Sequence, residues 1–395
     1  MRVIPHGSLS QDGVLLKIEK LVYGGDGLAR DDGRVVLVPF VLPQEEVEAE
    51  VERAKNDLLR GRVVEIKTPS PQRVTPPCPY FYRCGGCQYQ HAAYELQLEQ
   101  KKAILREVLL RVGKIEYGGE IHVVAGEPWH YRNRAQLHLE NGALGYFELG
   151  SHRLCPIEQC PISSPKLNEI IGLLSRELPK LPRFRTELEL FTNETDVQFH
   201  TSDRIPGAAN ELLGSFGTSA PIQYQGFRVS RNSFFQVNRF LIDPLVDAAV
   251  AGTQGKAAID LYAGVGLFSR ALVQRFARVT AVEAGASAHR DLQVNVPTAK
   301  AIQQTAEQFL AAVDNKPDLI LADPPRAGLG KQAVAELVRI AAPQLRIISC
   351  DPATLARDLR TLLARGYRID RLTLVDLFPQ TFHFETVIHL SVQPL

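Results

Sequence analysis

Cys350 closes the strand-like run Arg346-Ile-Ile-Ser-Cys350-Asp-Pro-Ala-Thr. The apolar stretch reads as a buried strand and the Asp-Pro after it as a turn. A side chain at the carboxyl end of a strand in an α/β sheet faces the crevice where such folds bind ligands, which is where a nucleophilic thiol is useful. Taken alone, a single cysteine reads more readily as a small apolar core residue. Its company changes that reading. Upstream lies a glycine-rich turn of the kind that holds nucleotide cofactors, and downstream the carboxylate Glu385 sits in Phe384-Glu-Thr-Val-Ile-His-Leu. Between turn and thiol, Asp318-Leu-Ile-Leu-Ala-Asp323-Pro-Pro-Arg326 places a second carboxylate at a strand end, stiffened by two prolines.

The glycine-rich turn is Ala257-Ala-Ile-Asp260-Leu-Tyr262-Ala-Gly264-Val-Gly266-Leu-Phe-Ser-Arg. It reads as strand, tight turn and immediate helix start. The glycines let backbone approach a ligand, and the helix start offers free N–H groups. A second strand, Arg278-Val-Thr-Ala-Val, ends in Glu283, where an acidic side chain grips ribose hydroxyls. The third glycine of the dinucleotide fingerprint is replaced by Ser269. The shorter Asp-x-x-x-Gly-x-Gly with an acidic strand end resembles class I S-adenosylmethionine-dependent methyltransferases. Asp-Pro-Pro motifs also occur in amino-group methyltransferases, but there an aromatic residue commonly follows, and Arg326 argues for another substrate.

Taken in order, Asp323-Pro-Pro-Arg, Ser349-Cys350-Asp-Pro-Ala-Thr and His383-Phe-Glu385-Thr-Val resemble the RNA uracil-5 methyltransferases. C5 of uracil is a poor nucleophile. Addition of a thiolate at C6 turns the ring into an enolate with electron density at C5, splitting one hard step into two easier ones. The resemblance implies Cys350 as nucleophile, Glu385 as the base that removes the C5 proton, and Asp323 between cofactor and uracil. It also implies S-adenosylmethionine as cofactor, held by Gln236, Tyr262, Gly264, Gly266, Glu283 and Asp323. Ala263 and Leu267 depart from residues common in the family, and residues 304–307 match its cofactor contacts poorly.

Cys78-x₅-Cys84-x₂-Cys87, with Gly85-Gly86 inside it, is spaced to wrap a metal. Four thiolates would complete a zinc site or a [4Fe–4S] cluster. The spacing resembles the iron–sulfur branch of the same family, which implies a fourth ligand in a Cys-Pro-Ile run. Both Cys155 and Cys160 have that form, and alignment on Ser151-His152 favours Cys160, leaving Cys155 to packing.

The elements that must carry these residues follow from pattern. Residues 1–68 show short alternating runs, such as Val14-Leu-Leu-Lys-Ile and Arg34-Val-Val-Leu-Val, broken by Gly24-Gly-Asp-Gly. They suggest a small oligonucleotide-binding-type β-barrel, and the run resembles a TRAM domain, slightly acidic in charge. Residues 69–228 read as a mixed central domain, opened by a proline-rich stretch and an amphipathic helix over 92–113 expected to pack on the catalytic domain. Within it Trp129-His-Tyr-Arg132-Asn-Arg134 interleaves aromatics with arginines, as suits stacking on unpaired bases, although a solvated strand pair competes. Residues 229–395 alternate strands and helices at the spacing of a parallel sheet, a Rossmann-like methyltransferase domain.

The chain has 395 residues, 45% apolar and 23% charged, with a formal net charge of +1. This fits a globular protein of two or three domains, so basic groups that bind RNA must be segregated on one face. No apolar run approaches the ~20 residues a membrane span needs. The expectation is therefore a cytoplasmic, monomeric enzyme acting on RNA, with ribosomal 23S RNA ahead of transfer RNA. A tRNA enzyme and a catalytically silent RNA-binding or folding factor are the alternatives. A cytosine-5 enzyme is disfavoured, since the Pro-Cys motif those enzymes use is not visible in residues 229–395, where Cys350 follows Ser349.

Overall fold

Leu16, Ala29, Val36, Val38, Val47 and Ala49 are inward members of short alternating strands, and they meet in one core with Ile18. The computed structural model describes residues 13–53 and 58–392. Its first sheet has six strands, in the order Val14–Lys17, Glu46–Arg53, Leu59–Thr68, Arg34–Val38, Gly27–Asp31, Lys20–Leu21. Leu16 and Ala29 lie on strands well apart in that order yet share the core, so the sheet curls on itself. Gly27 is required there, because a Cβ would come within 2.3 Å of Val41 Cγ2.

The chain divides into two compact units. One contains the described residues up to 104 with 147–153 and 378–382. The other contains 105–146, 154–377 and the described residues from 383 onward. The helix expected over 92–113 is Tyr94–Arg111. Among the described residues no helix is long and apolar enough to cross a membrane.

The second unit is built on an eight-stranded sheet ordered Lys300–Ile302, Phe276–Val282, Gly255–Leu261, Leu319–Ala322, Gln344–Ser349, Glu385–Val392, Tyr367–Val375, Ile121–Val124. The first five are mutually parallel. Glu385–Val392 runs antiparallel to both neighbours. Their burial is near-continuous, as a sheet covered on both faces requires. Chain order reverses between Gly255–Leu261 and Leu319–Ala322, so the ligand crevice of such a sheet falls at their carboxyl ends. Ile121–Val124 comes from the region read as the central domain and pairs in parallel with Tyr367–Val375. A separate five-stranded sheet holds Leu154–Pro156, Ala143–Phe147, Arg134–Glu140, Arg185–Thr192 and Val197–Thr201.

The Asp351-Pro352 pair differs from its expected role as a turn. It starts the helix Pro352–Ala364, with Pro352 in the first turn and the Asp351 carboxylate accepting the N–H groups of Ala353 at 3.0 Å and Thr354 at 2.8 Å. The helix buries Leu355, Ala356, Leu359 and Leu362, one apolar stripe at helical spacing. Burying each leucine stabilises the fold by roughly 1.5–3 kcal/mol. Replacing Asp351 by alanine would cost about 1 kcal/mol and loosen the segment that carries Cys350.

Candidate active site

Because Glu385 begins an antiparallel strand, its end of that strand lies beside the carboxyl ends of the parallel ones. Thr386 pairs with Ser349, which places Glu385 and Cys350 at one rim of the sheet. Ala322 pairs with Leu261 on one side and Ile347 on the other, so Asp323 emerges on the same rim between the cofactor turn and the thiol. The three residues singled out for chemistry are thus gathered by strand register alone.

Their electrostatics couple them. Burial pushes the Cys350 thiol up to about 11, Glu385 and Asp323 push the same way, and the Arg326 guanidinium pulls it down. Glu385 is 8% exposed, and its Oε2 is buried without a hydrogen-bond partner. Its carboxyl is held well above the usual carboxylate range, first by burial and then by Asp323, with Arg326 opposing. Asp323 is raised by burial and by Asp260. Asp260 is fully buried, and burial lifts it to about 7 although Ser269 donates its hydroxyl to Oδ2. Its Oδ1 has no partner. Buried acids left short of donors are unusual in a finished core and mark sites where chemistry is done.

Arg326 closes the Asp323-Pro-Pro-Arg motif. Its loop is strapped to the helix after Cys350. Thr354 Oγ1 donates to the Arg326 carbonyl at 3.2 Å, and Arg357 donates to the Ala327 carbonyl at 2.8 Å. The Leu329 N–H donates to Asp358 at 2.8 Å. The Thr354-x-x-Arg357-Asp358 spacing on one helical face was the available signal.

The cofactor turn has the conformation its glycines allow. Gly264 and Gly266 have φ of 56° and 96°, and space around Gly264 is open where a ligand backbone contact would form. Tyr262 also has positive φ, at 60°, a strained setting for a non-glycine residue in a turn. Glu283 accepts the N–H of Gly264 at 2.9 Å and of Gly285 at 2.6 Å, so its carboxylate sits against the turn. Gln236 lies in the loop after Ser233 and is 6% exposed. An open glycine cradle, an acid at the next strand end and the orphaned Asp260 oxygen fit a nucleoside cofactor with ribose hydroxyls.

One expectation is corrected. In the Trp129–Arg134 run, Tyr131 and Asn133 are fully buried and Arg134 is 7% exposed. Arg134 donates to Glu189 and the Ser233 carbonyl and lies over Phe191, so these side chains pack the interior instead of offering a stacking face. Among the described residues, no group of three or more His, Cys, Asp or Glu side chains is arranged to hold a metal ion. Cys78, Cys84 and Cys87 belong to the first unit and Cys160 to the second. The Cys84 sulfur accepts the Gly86 N–H at 3.4 Å, and the Cys160 backbone is bracketed by the Asn168 amide. Cys155 is fully buried.

Strand order, cofactor turn and rim acids together define a class I S-adenosylmethionine-dependent methyltransferase. Residues 221–393 match the tRNA (Uracil-5-)-methyltransferase family, and residues 13–64 match the TRAM domain. A protein of Aquifex aeolicus named as an uncharacterized RNA methyltransferase is 32% identical, over 96% of this chain and 98% of its own. The 23S rRNA (uracil(1939)-C(5))-methyltransferase RlmD of Edwardsiella ictaluri is 32% identical over 92% of each chain. The crystal structure of the Pyrococcus abyssi tRNA (uracil-54, C5)-methyltransferase in complex with S-adenosyl-L-homocysteine superposes with a TM-score of 0.76. It is 26% identical and covers 95% of this chain and 99% of its own. The chain belongs to the RNA uracil-C5 methyltransferase family.

Proposed function

We propose that this protein transfers a methyl group from S-adenosylmethionine to C5 of a uridine in RNA, with 23S rRNA as the substrate. The observation that carries the reading is the convergence of Cys350, Asp323 and Glu385 on one sheet rim beside the Gly264–Gly266 turn. The cofactor supplies an electrophilic methyl group when bound. Gln236, Tyr262, Gly264, Gly266, Glu283 and Asp323 would hold it, with Asp323 between cofactor and uracil.

Cys350 supplies the sulfur that adds to C6 of the flipped-out base and leaves again once C5 is substituted. A thiol held near 11 is protonated at neutral pH, so the sulfur adds as the thiolate formed when that proton passes to bulk water, leaving Glu385 for the C5 proton. The Arg326 guanidinium favours the thiolate. Glu385 takes the C5 proton. Its unpartnered oxygen and raised affinity for protons suit a base that must bind a proton firmly and then release it.

The ribosomal substrate is supported by the relatives named for 23S rRNA and by the TRAM match. A transfer RNA substrate is the second reading, favoured by the likeness to the Pyrococcus abyssi tRNA enzyme. Purified protein with labelled S-adenosylmethionine and unmodified transcripts of 23S rRNA and tRNA decides between them. Label in 5-methyluridine of the ribosomal transcript is expected, and label confined to tRNA transfers the assignment. RNA binding with no methyl transfer would overturn the enzymatic reading.

An iron–sulfur cluster on Cys78, Cys84, Cys87 and Cys160 belongs to the same reading. It is supported by the soft thiolate donors and their spacing, and no catalytic step depends on it. Bound iron and sulfide in the intact protein, lost on replacing Cys78, Cys84 and Cys87 together, are expected. Zinc without iron would reject it.

A further inference from the structure

The Arg326 guanidinium acts on both reacting groups, lowering the proton affinity of Cys350 and of Glu385. Its side chain is exposed, and among the described residues no hydrogen bond or ion pair anchors it. Where the guanidinium sits therefore depends on where the backbone of its loop sits. One side of the loop is stiffened by Pro324 and Pro325. The other side is gripped by the helix Pro352–Ala364, which begins two residues after Cys350.

Thr354, Arg357 and Asp358 are three and four residues apart, so they share one face of that helix. Asp358 is 5% exposed and forms the centre of the grip. Its Oδ2 accepts the Leu329 N–H at 2.8 Å, and its Oδ1 accepts Arg357 Nε at 2.9 Å. Arg357 donates through Nη2 to the Ala327 carbonyl at 2.8 Å, and Thr354 donates to the Arg326 carbonyl at 3.2 Å. Gly328, at φ 79°, completes the fit, since a Cβ there would lie 2.6 Å from Asp358 Oδ2 and 2.8 Å from Arg357 Nη2. The four consecutive residues 326–329 thus each meet this helical face. The charges acting on the thiol are Glu385, Arg326 and Asp323. Around Asp358 they are Arg357 beside it, with Lys331, Arg339 and Arg365 lining the same groove, and Tyr262 feels its charge.

We propose that Asp358 and Arg357 are positioning residues that hold the 326–329 loop on the helix after Cys350, and so keep the Arg326 guanidinium within electrostatic reach of the reacting sulfur. This rests on the assignment of Cys350 as the nucleophile. The consequence has a sign that separates it from other roles. Removing a carboxylate by itself makes a nearby thiol easier to ionise, and a loop that only opens admits water and reagent. Both speed alkylation of Cys350. Withdrawal of Arg326 slows it, because the rate follows the thiolate fraction.

The test uses the full-length protein and iodoacetamide, with peptide mass spectrometry following alkylation of Cys350 alone at about pH 7.5 to 9.5, below the thiol's own range. Arg326→Gln is expected to slow the reaction about tenfold, the equivalent of one pKa unit. Asp358→Ala should slow it about fivefold. Added to Arg326→Gln, it should change the rate by less than about twofold, because both act through one guanidinium. If Asp358→Ala does not fold, Asp358→Asn keeps the shape and an acceptor for Leu329 while losing the charge that pairs with Arg357, and should slow alkylation about threefold. Unchanged or faster alkylation in folded Asp358 variants, or equal slowing on the Arg326→Gln background, overturns the proposal. A purely structural role would lower the melting temperature without slowing the Cys350 reaction. Failure of the functional reading would appear separately, as wild-type protein that shows this alkylation pattern and transfers no methyl.

Discussion

Glu45 in the first unit and Glu385 in the second are both buried carboxylates, and they are treated in opposite ways. Glu45 accepts the N–H groups of Leu42 at 2.8 Å and Ser70 at 3.0 Å, and two bonds from Arg73 at 2.6 and 2.7 Å. Burial pushes its carboxyl up, but Arg73 and the two backbone donors outweigh burial, and the net shift is downward. Glu385 has an oxygen with no partner, a neighbouring acid and an upward shift. A satisfied buried acid fixes structure, here the link between the curled sheet and residues 70–73. One left short of donors keeps its affinity for protons in reserve for a substrate.

That contrast is broken or sharpened by substitution. Glu385→Gln should lower kcat by about 10²–10⁴-fold with little change in RNA affinity, and should leave RNA attached to the protein on denaturing gels. A modest loss with no trapped RNA would move the base elsewhere. Asp323→Asn should abolish most turnover and yet raise the melting temperature at pH 8.5. The sign follows from the upward shift: a carboxyl with raised folded pKa contributes stability below its unfolded value that is lost as pH rises through the folded one. The gain over wild type should therefore fade as pH falls through neutrality, and a gain independent of pH would contradict the account.

Glu283→Ala should weaken S-adenosylhomocysteine binding by about tenfold, through the lost ribose contact and the loosened Gly264 N–H, and leave RNA affinity unchanged. Glu45→Gln should cost about 2–3 kcal/mol of stability and leave the kcat/KM of folded protein untouched. Because the Glu45 carboxyl is lowered, its contribution is present above the ordinary glutamate range and lost as pH falls through the depressed value. Equal stability of variant and wild type at pH 7 would show that Glu45 is not the structural counterpart drawn here.

Much of the methyltransferase half was legible because its information is local. Apolar runs ending in Asp260, Glu283, Asp323 and Cys350 state where strands stop, and strand ends in a parallel sheet are where such folds act. Glu385 was legible only through resemblance, since a carboxylate at the start of a strand reads as solvated until the sheet order makes it buried. Ile121–Val124 was missed because four residues joining a sheet across about 250 positions leave no periodic trace. Asp291 and Asn295 look like the polar face of a short helix, and only the tertiary partners show otherwise. The Tyr131–Arg134 run misled for the same reason in reverse. Composition suggested a surface, and burial decided against it.

The account turns on a covalent bond between Cys350 and the pyrimidine, and RNA carrying 5-fluorouridine tests it, because fluorine at C5 cannot depart as a proton. Wild-type protein incubated with S-adenosylmethionine and fluorinated 23S rRNA transcript should give a complex stable to denaturation, with the RNA mapped by peptide mass to Cys350, and Cys350→Ser should give none. A complex of equal yield with the serine variant, or unchanged methyl transfer by it on ordinary transcript, would contradict the account.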